Sequence, residues 1–383
     1  MNRVSVQPEL LSWARERADL SVDALARRFP QIEAWERGDV HPTLKQLEAF
    51  AKATFTPVGF LFLDEPPVEA VPIPDFRTVA NMHVGRTSPD LLDTLYLCQQ
   101  RQDWYRDFAR SMGEEPCGFV GSARPDDDVV ATADRIRHAL GLDLDERQRI
   151  PTWTDALRRF IGQADALGVL VMVSGVVGSN NRRKLDPQEF RGFALADDLA
   201  PLVFINGADT KAAQMFTLAH ELAHVWLGQS AVSDAEARTV PAHAVERWCN
   251  QVAAEMLMPL EELRAAHQRN APIPDEIQRL AREFKVSTLV ALRRLFDAGY
   301  INQAALWQHY REEQERLRTL KERSSPGGDF YRSLCARTSK RFARAIVSST
   351  LEGLTSFPDA FRMLGVRKTA TFYEAARELG VTA

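Results

Sequence analysis

The chain has 383 residues, of which 45% are apolar and 26% are charged, and its formal net charge is −4. The apolar and charged fractions are typical of a globular protein. The slightly negative net charge excludes a polycation that binds nucleic acid over its whole surface. No apolar run is long enough for a membrane helix, the N-terminus lacks a secretory signal pattern, and the four cysteines form no C-x-x-C pair. We therefore expect a cytoplasmic protein with reduced thiols and no membrane association.

In chain order, the first predicted segment is helical and covers residues 1–65. Helices begin at Pro8 and at Ser21, which is a candidate N-cap, and an amphipathic helix covers residues 43–51. The segment carries eight Lys and Arg against ten acidic residues. That charge balance does not favour contact with phosphates.

A proline-rich joint and a long helix follow, over residues 66–128. Repeated prolines between residues 65 and 77 exclude a helix there, and one long helix is predicted from Asp90 to Met112. From residue 129 to residue 302, helical patterns alternate with β-branched runs, which predicts an α+β domain. Its predicted helices cover residues 129–141, 153–167, 211–227, 241–258, 274–284 and 287–298, and its predicted strands cover 168–174, 190–196 and 201–206.

The last predicted segment, residues 303–383, is helical and locally basic. Between residues 316 and 344 there are nine Lys and Arg against two acidic residues. On a continuous helix, Arg337, Arg341 and Arg344 would share one face. Together with Lys340 they are candidates for contact with nucleic acid or a partner protein, and a solvated basic face is the alternative.

The strongest chemical signal lies in residues 216–228. His220 and His224 are four residues apart, so on a helix both imidazoles project from one face and can bind one zinc ion. Glu221 follows the first histidine and can act as general base towards water held by that zinc. The surrounding residues are apolar, so the helix is expected to be buried, where three ionisable groups are costly unless a metal satisfies them.

A catalytic zinc needs a third protein ligand, and Glu246 is the best candidate. It lies 22 residues after the second histidine, far enough for a second helix to cross back. Asn250, four residues further on, can orient a ligating histidine. His243 is either a donor to the transition state or a polar loop residue, whereas Glu255 and Cys249 are better explained as a helix-face carboxylate and a core residue.

Peptide hydrolysis also requires a way to hold the substrate backbone. An edge strand beside the metal-binding helix can do this by strand addition. From their order along the chain, the predicted strands at residues 190–196 and 201–206 are the candidates.

Residues 150–300, approximately, resemble the ImmA/IrrE family of zinc metallopeptidases. The resemblance is carried by residues 216–224, Glu246 with Asn250, residues 253–259, residues 280–296 and Gly299-Tyr300-Ile301. It implies a zincin-like fold, with His220, His224 and Glu246 as zinc ligands and Glu221 as the base. Family members cut a helix-turn-helix repressor and thereby switch on stress or mobile-element genes, so the resemblance also implies a protein substrate.

Residues 5–64 resemble a Cro/C1-type (Xre) helix-turn-helix. The matching residues are Leu25-Ala26, residues 35–38, Pro42-Thr43 and residues 47–51. About four residues of the family pattern are missing between Ala26 and Trp35, where the turn and the start of the recognition helix would lie. The resemblance implies DNA binding, and a module kept for dimerisation or partner binding is the alternative.

These observations predict a multidomain protein: an all-α helix-turn-helix domain, a connecting segment, an α+β zincin-like metallopeptidase domain and a helical C-terminal region. The leading hypothesis is a transcriptional or stress regulator that uses Zn²⁺ to cut a protein partner such as a repressor. Because Xre–ImmA fusions also resemble antitoxins, the alternative is a protein that neutralises a PIN-type toxin and represses its own operon, with proteolysis secondary or absent. A third hypothesis is a DNA-binding transcription factor whose metal domain senses a ligand, and a homodimer is compatible with all three.

Overall fold

The structure is a computed structural model that describes residues 3–76, 87–233, 243–321 and 330–381. The described residues form two compact units. The first contains residues 3–72 and 87–95, and the second contains residues 73–76 and the described residues from 96 onwards. No helix in the described part of the chain is long and apolar enough to cross a membrane.

The first unit is built from short helices around a small aromatic core. Its helices are α1 (Pro8–Arg17), α2 (Val22–Ala26), α3 (Ile32–Glu36), α4 (Leu44–Ala53) and a 3₁₀ turn (Val58–Phe62). Ser21 caps α2 as predicted, because its hydroxyl accepts a hydrogen bond from the backbone N–H of Ala24. Thr43 and Gln46 form a capping box at the start of α4.

The two central helices of the first unit are unusually short. Helices α2 and α3 have five residues each, which fits the shortened segment seen in the sequence. Arg15 of α1 reaches Glu36 of α3 with two hydrogen bonds of 2.7 and 3.1 Å. The Xre resemblance of this unit remains a prediction, since short capped helices are common to many small helical domains.

The second unit surrounds a four-stranded sheet with helices. Its strands are β1 (Leu170–Ser174), β2 (Gly192–Leu195), β3 (Leu202–Asn206) and β4 (Ala231–Ser233). The helix α5 (Pro89–Met112) begins in the first unit and continues in the second. The remaining helices are α6 (Val129–Leu140), α7 (Leu144–Arg149), α8 (Trp153–Leu167), α9 (Lys211–Leu227), α10 (Ala244–Leu257), α11 (Leu260–Ala266), α12 (Ile273–Phe284), α13 (Thr288–Asp297), α14 (Gln303–Lys321), α15 (Phe330–Thr338), α16 (Lys340–Leu351), α17 (Phe357–Leu364) and α18 (Thr369–Glu378).

The strand order is β1-β3-β2-β4. β1 pairs parallel with β3, whereas β2 pairs antiparallel with both β3 and β4. All residues of β2 and β3 are buried, as expected for central strands covered on both faces. The prediction that one of these two strands provides a free edge for substrate is therefore wrong. The edge strands are β1 and β4, and the three-residue β4 was not predicted.

The C-terminal helices pack onto the sheet through a buried arginine of α5. The guanidinium of Arg101 donates to the backbone carbonyls of Met363 (2.7 and 3.0 Å) and Arg337 (3.0 Å). It is almost fully buried, and burial lowers its pKa to about 10. Helices α15 and α16 also contact β1 directly. The C-terminal region is thus part of the same compact unit as the sheet.

The single basic helical face expected at residues 337–344 is not formed. Ser339, with a positive φ of 63°, separates α15 from α16 and therefore rotates Arg337 away from the arginines that follow. Arg341 donates to Tyr105 (2.6 Å) and pairs with Glu114 (2.8 Å). Arg344 donates to the carbonyl of Leu379, and Lys340 is exposed. Arg323, which contributed to the basic charge count, lies outside the described residues.

Candidate metal centre

Helix α9 carries the two predicted histidines into the interior of the second unit. It begins after Thr210, whose hydroxyl accepts from the N–H of Ala213 at 3.2 Å, and it ends at Gly228 in a left-handed conformation (φ 67°). Every residue from Gln214 to Leu227 is buried. The expectation of a buried helix with three ionisable groups is confirmed.

Three side chains from α9 and α10 converge on one point. His220 and His224 project from the same face of α9, and Glu246 reaches them from the first turn of α10. The Nε2 atoms of the two histidines are 3.1 Å apart. The Glu246 carboxylate lies 3.3 Å from Nε2 of His220 and 2.8 Å from Nε2 of His224.

These separations fit a tetrahedral metal ion. In a zinc site with bonds of about 2.0 Å, neighbouring ligand atoms are about 3.3 Å apart. The three ligand atoms are close to that spacing, and all three residues are buried. Two imidazole nitrogens that both present lone pairs at 3.1 Å repel each other, and a cation between them and the carboxylate removes that repulsion. His220, His224 and Glu246 therefore form a cluster that could hold a divalent metal.

Asn250 orients one of the histidines. It lies one turn after Glu246 on α10, and its side-chain oxygen is 2.9 Å from Nδ1 of His220. Because an amide oxygen is only an acceptor, Nδ1 of His220 carries the proton in this contact. In the neutral imidazole, the Nε2 atom of the same ring is then left with a free lone pair directed at the centre.

Glu221 is fully buried beside this cluster. Burial raises its pKa to about 8. Ser233 of β4 is close enough to act on that pKa, but no hydrogen bond of good geometry joins either Glu221 oxygen to another described residue. A divalent cation bound nearby would favour the ionised carboxylate. In this buried position, Glu221 needs a metal ion beside it to be ionised near neutral pH. Only the ionised carboxylate can act as a base.

The charges of the centre reinforce one another. Burial acts to raise the pKa of Glu246, but the charges and hydrogen bonds of His220 and His224 outweigh it and hold that pKa well below its usual range. The ionised Glu246 in turn holds the pKa of His220 above its usual value, although burial opposes this. Glu246 is therefore ionised at neutral pH, which is the state a metal ligand needs.

Gly192 leaves room for the Glu221 carboxylate. A Cβ atom added at Gly192 would lie 3.1 Å from Oε1 of Glu221, 2.6 Å from the Thr217 side chain and 2.8 Å from the backbone oxygen of Phe204. Two of these distances are too short for a real Cβ, and Phe204 contributes rigid backbone. A glycine inside a strand pattern often marks such a close approach, and this was the signal in the sequence.

Substituting Gly192 with alanine is therefore expected to push α9 away from β2. We expect a loss of about 1–3 kcal/mol in unfolding free energy from overpacking, measured by denaturant titration with zinc present. Gly162→Ala is a matched control, since Gly162 is on helix α8 with no other atom within 4 Å of the added Cβ. It should be neutral or slightly stabilising. Equal stability of the two variants would contradict this role for Gly192.

Two further residues that the sequence did not indicate lie at the centre. The hydroxyl of Ser233, on β4, is 3.4 Å from Nε2 of His224. The ring of Phe76 stacks on the ring of His224, with centroids 6.1 Å apart and planes inclined by 16°. Neither had a recognisable signal, because β4 is too short for a periodicity and Phe76 is remote from the motif in the chain.

The remaining candidates have separate surroundings. His243 is exposed at the N-cap of α10, and its ring centroid is 5.1 Å from that of Phe76. Glu255 is buried in an ion pair with Arg294, away from the metal-binding cluster. Cys249 is buried in the hydrophobic core, where burial raises its thiol pKa well above the usual value.

The part of the chain that contains this centre matches the model of a known family. Residues 164–296 match the IrrE N-terminal-like domain (Peptidase_M78). The match covers about a third of the chain and includes all four strands together with α9 and α10. Peptidases of this family are typically zinc-dependent, so the match supports a metallopeptidase. Residues 338–378 of the chain match a second family, Domain of unknown function (DUF8813). No curated protein shows a match to the chain.

Proposed function

We propose that the chain is a zinc-dependent endopeptidase whose IrrE-like domain cuts another protein, and that this cleavage regulates transcription or a stress response. One observation carries the proposal. The ligand atoms of His220, His224 and Glu246 lie within 4.8 Å of one another, and the buried carboxylate of Glu221 stands beside them. Buried ionisable groups without partners cost free energy, and they are typical of catalytic sites.

In this proposal, His220, His224 and Glu246 would hold the zinc ion. When bound, zinc would supply a Lewis acid and would lower the pKa of a water molecule. Glu221 accepts a proton from the water as the water oxygen bonds to the carbon of the scissile carbonyl. It then donates that proton to the amide nitrogen while the C–N bond breaks. The products are a new carboxylate terminus and a new amine terminus.

His243 is proposed as a donor to the carbonyl oxygen of the substrate. It is exposed at the start of α10, the helix that also carries Glu246. Its ring contacts Phe76, which in turn stacks on His224. This position, next to the first turn of α10, supports a role for His243 at the same centre.

The first unit is proposed to bring the peptidase to its partner. Residues 1–65 carry more acidic than basic residues, and α3 offers only five residues to a DNA groove. Recognition of a protein, such as a repressor, is therefore the better supported role for this unit. DNA remains the second proposed partner.

The proposed function is tested by trapping the substrate. Full-length chain with Glu221→Gln, loaded with zinc, should retain a partner from its native cells that the wild-type chain does not retain intact. The captured partner is then incubated with zinc-loaded wild-type chain, and its fragments are analysed by mass spectrometry. We expect cleavage at one position, and we expect chelation of zinc to prevent it.

The outcome also distinguishes the main alternative. A partner that binds the wild-type chain and the Glu221→Gln variant equally, and that neither form cuts, would contradict the peptidase and support the antitoxin hypothesis. Cleavage that persists after chelation would contradict the role of the metal.

A further inference from the structure

The outer edge of β4 is paired with a segment from a distant part of the chain. Residues 74–76 belong to the second unit, and Asp75 lies opposite Val232 in a parallel bridge. The N–H of Val232 donates to the carbonyl of Pro74 at 2.9 Å, and the N–H of Phe76 donates to the carbonyl of Val232 at 3.0 Å. This segment therefore occupies the sheet edge as an added strand does.

The same segment places an aromatic ring against one of the metal-binding histidines. Phe76 stacks on His224, one of the three metal-binding side chains, and also contacts His243. Ser233, the last residue of β4, has its hydroxyl 3.4 Å from Nε2 of His224. The outer edge of β4 thus ends beside the metal centre, which is where the backbone of a peptide substrate has to lie.

The pairing is short enough to be replaced. Prolines at positions 72 and 74 have no N–H to donate, and only two backbone hydrogen bonds join the segment to β4 in the described residues. Each such bond contributes only modest net stability. A longer extended segment without proline at the paired positions can form more of these bonds to the same edge.

We infer that the outer edge of β4 is the binding site for an extended protein segment that carries an aromatic residue over His224, and that residues 74–76 are the chain's own occupant of this site. The inference rests on the proposed peptidase function, because it names the class of substrate and the way access to the same centre is controlled. A substrate gains the backbone bonds of Val232 and the ring contact on His224 by displacing Pro74 and Phe76. The occupant also covers the open edge and so limits edge-to-edge association of β4 with other chains.

The inference is tested by peptide binding to full-length, zinc-loaded chain in which Glu221→Gln prevents cleavage. The probe is a fluorescent synthetic peptide with the sequence of residues 70–80. Adding Phe76→Ala to the chain removes the occupant's ring contact, and Phe76→Pro removes the N–H that bonds to Val232. Because an aromatic contact makes a modest contribution beyond its buried area, each variant should bind the peptide about two- to tenfold more tightly than the chain with Phe76.

Two controls make the result specific. Phe62→Ala, at an exposed phenylalanine in the first unit, should leave peptide binding unchanged. A second peptide with alanine at the position of Phe76 should bind every variant weakly. Hydrogen exchange provides a further measurement: the Val232 amide should exchange faster in the two Phe76 variants and should become protected again when the peptide is added.

Equal peptide affinity of the variants and the chain with Phe76 would overturn the inference, as would binding that does not depend on the peptide's phenylalanine. In either case residues 74–76 serve only as a structural cover of the edge. An unchanged exchange rate at Val232 in both variants would also overturn it. Because these measurements need no hydrolysis, they can succeed even if the trapping experiment shows that the chain is not a peptidase, and they can fail while that experiment succeeds.

Discussion

Replacing Glu221 with glutamine is expected to reduce cleavage of the partner protein by about 10²- to 10⁴-fold, while zinc binding is retained. Glutamine has the same shape as glutamate but cannot accept a proton from water. The residue is buried and stands beside the metal-binding side chains without being one of them. Cleavage rate and zinc content, measured on the same preparation, separate the two roles.

A matched control is Glu262→Gln on the exposed surface of α11. It makes the same chemical change away from the centre, so both cleavage and zinc content should stay at wild-type values. Full activity of the Glu221→Gln variant would show that another group removes the proton. Loss of zinc from that variant would instead show that Glu221 acts on the metal itself.

Replacing Glu246 with alanine is expected to remove most of the bound zinc. The substitution leaves two histidines, whereas catalytic zinc sites have three protein ligands. A metal that binds only the folded protein stabilises it by about 4 kcal/mol when its free concentration is 1,000 times the dissociation constant. Under that condition, chelation should lower the melting temperature of the wild-type chain by about 10 °C and should leave the Glu246→Ala variant almost unchanged.

The comparison should be made by thermal unfolding with and without chelator, together with metal analysis. Glu262→Ala is the control, since it removes an exposed carboxylate from a neighbouring helix and should keep the full response to chelation. A Glu246→Ala variant that holds one zinc per chain and responds to chelation like wild type would show that the third ligand comes from elsewhere.

Several elements were predictable because they depend on local rules. The helices at residues 153–167 and 211–227 match the observed α8 and α9, since apolar periodicity and capping residues define a helix within a few turns. The helix start at Thr210 and the end at Gly228 follow the same rules. The strands β1 to β3 were also located, although the structure shows each of them to be shorter than its predicted range.

The arrangement of strands was not predictable from such rules. Strand order depends on contacts between segments that are far apart in the chain. In the observed order, β2 and β3 are the central strands, although the sequence offers both as candidates for the substrate edge. β4 has only three residues, which is too short for alternation to be recognised. The break at Ser339 was also unpredicted, since its positive φ is held by tertiary contacts such as the hydrogen bond from its hydroxyl to Asp165.

The histidine pair and Glu221 were determined by sequence alone, because three residues on one helix keep a fixed geometry wherever that helix packs. Only the tertiary structure brought Glu246 and Asn250 to His220 and His224. It also showed what Gly192 contacts, and it added Ser233 and Phe76, which no spacing could indicate. The physical reason is the range of the interactions. Helical spacing is set by backbone hydrogen bonds four residues apart, whereas the surroundings of the metal centre depend on how α9, α10 and β4 pack together.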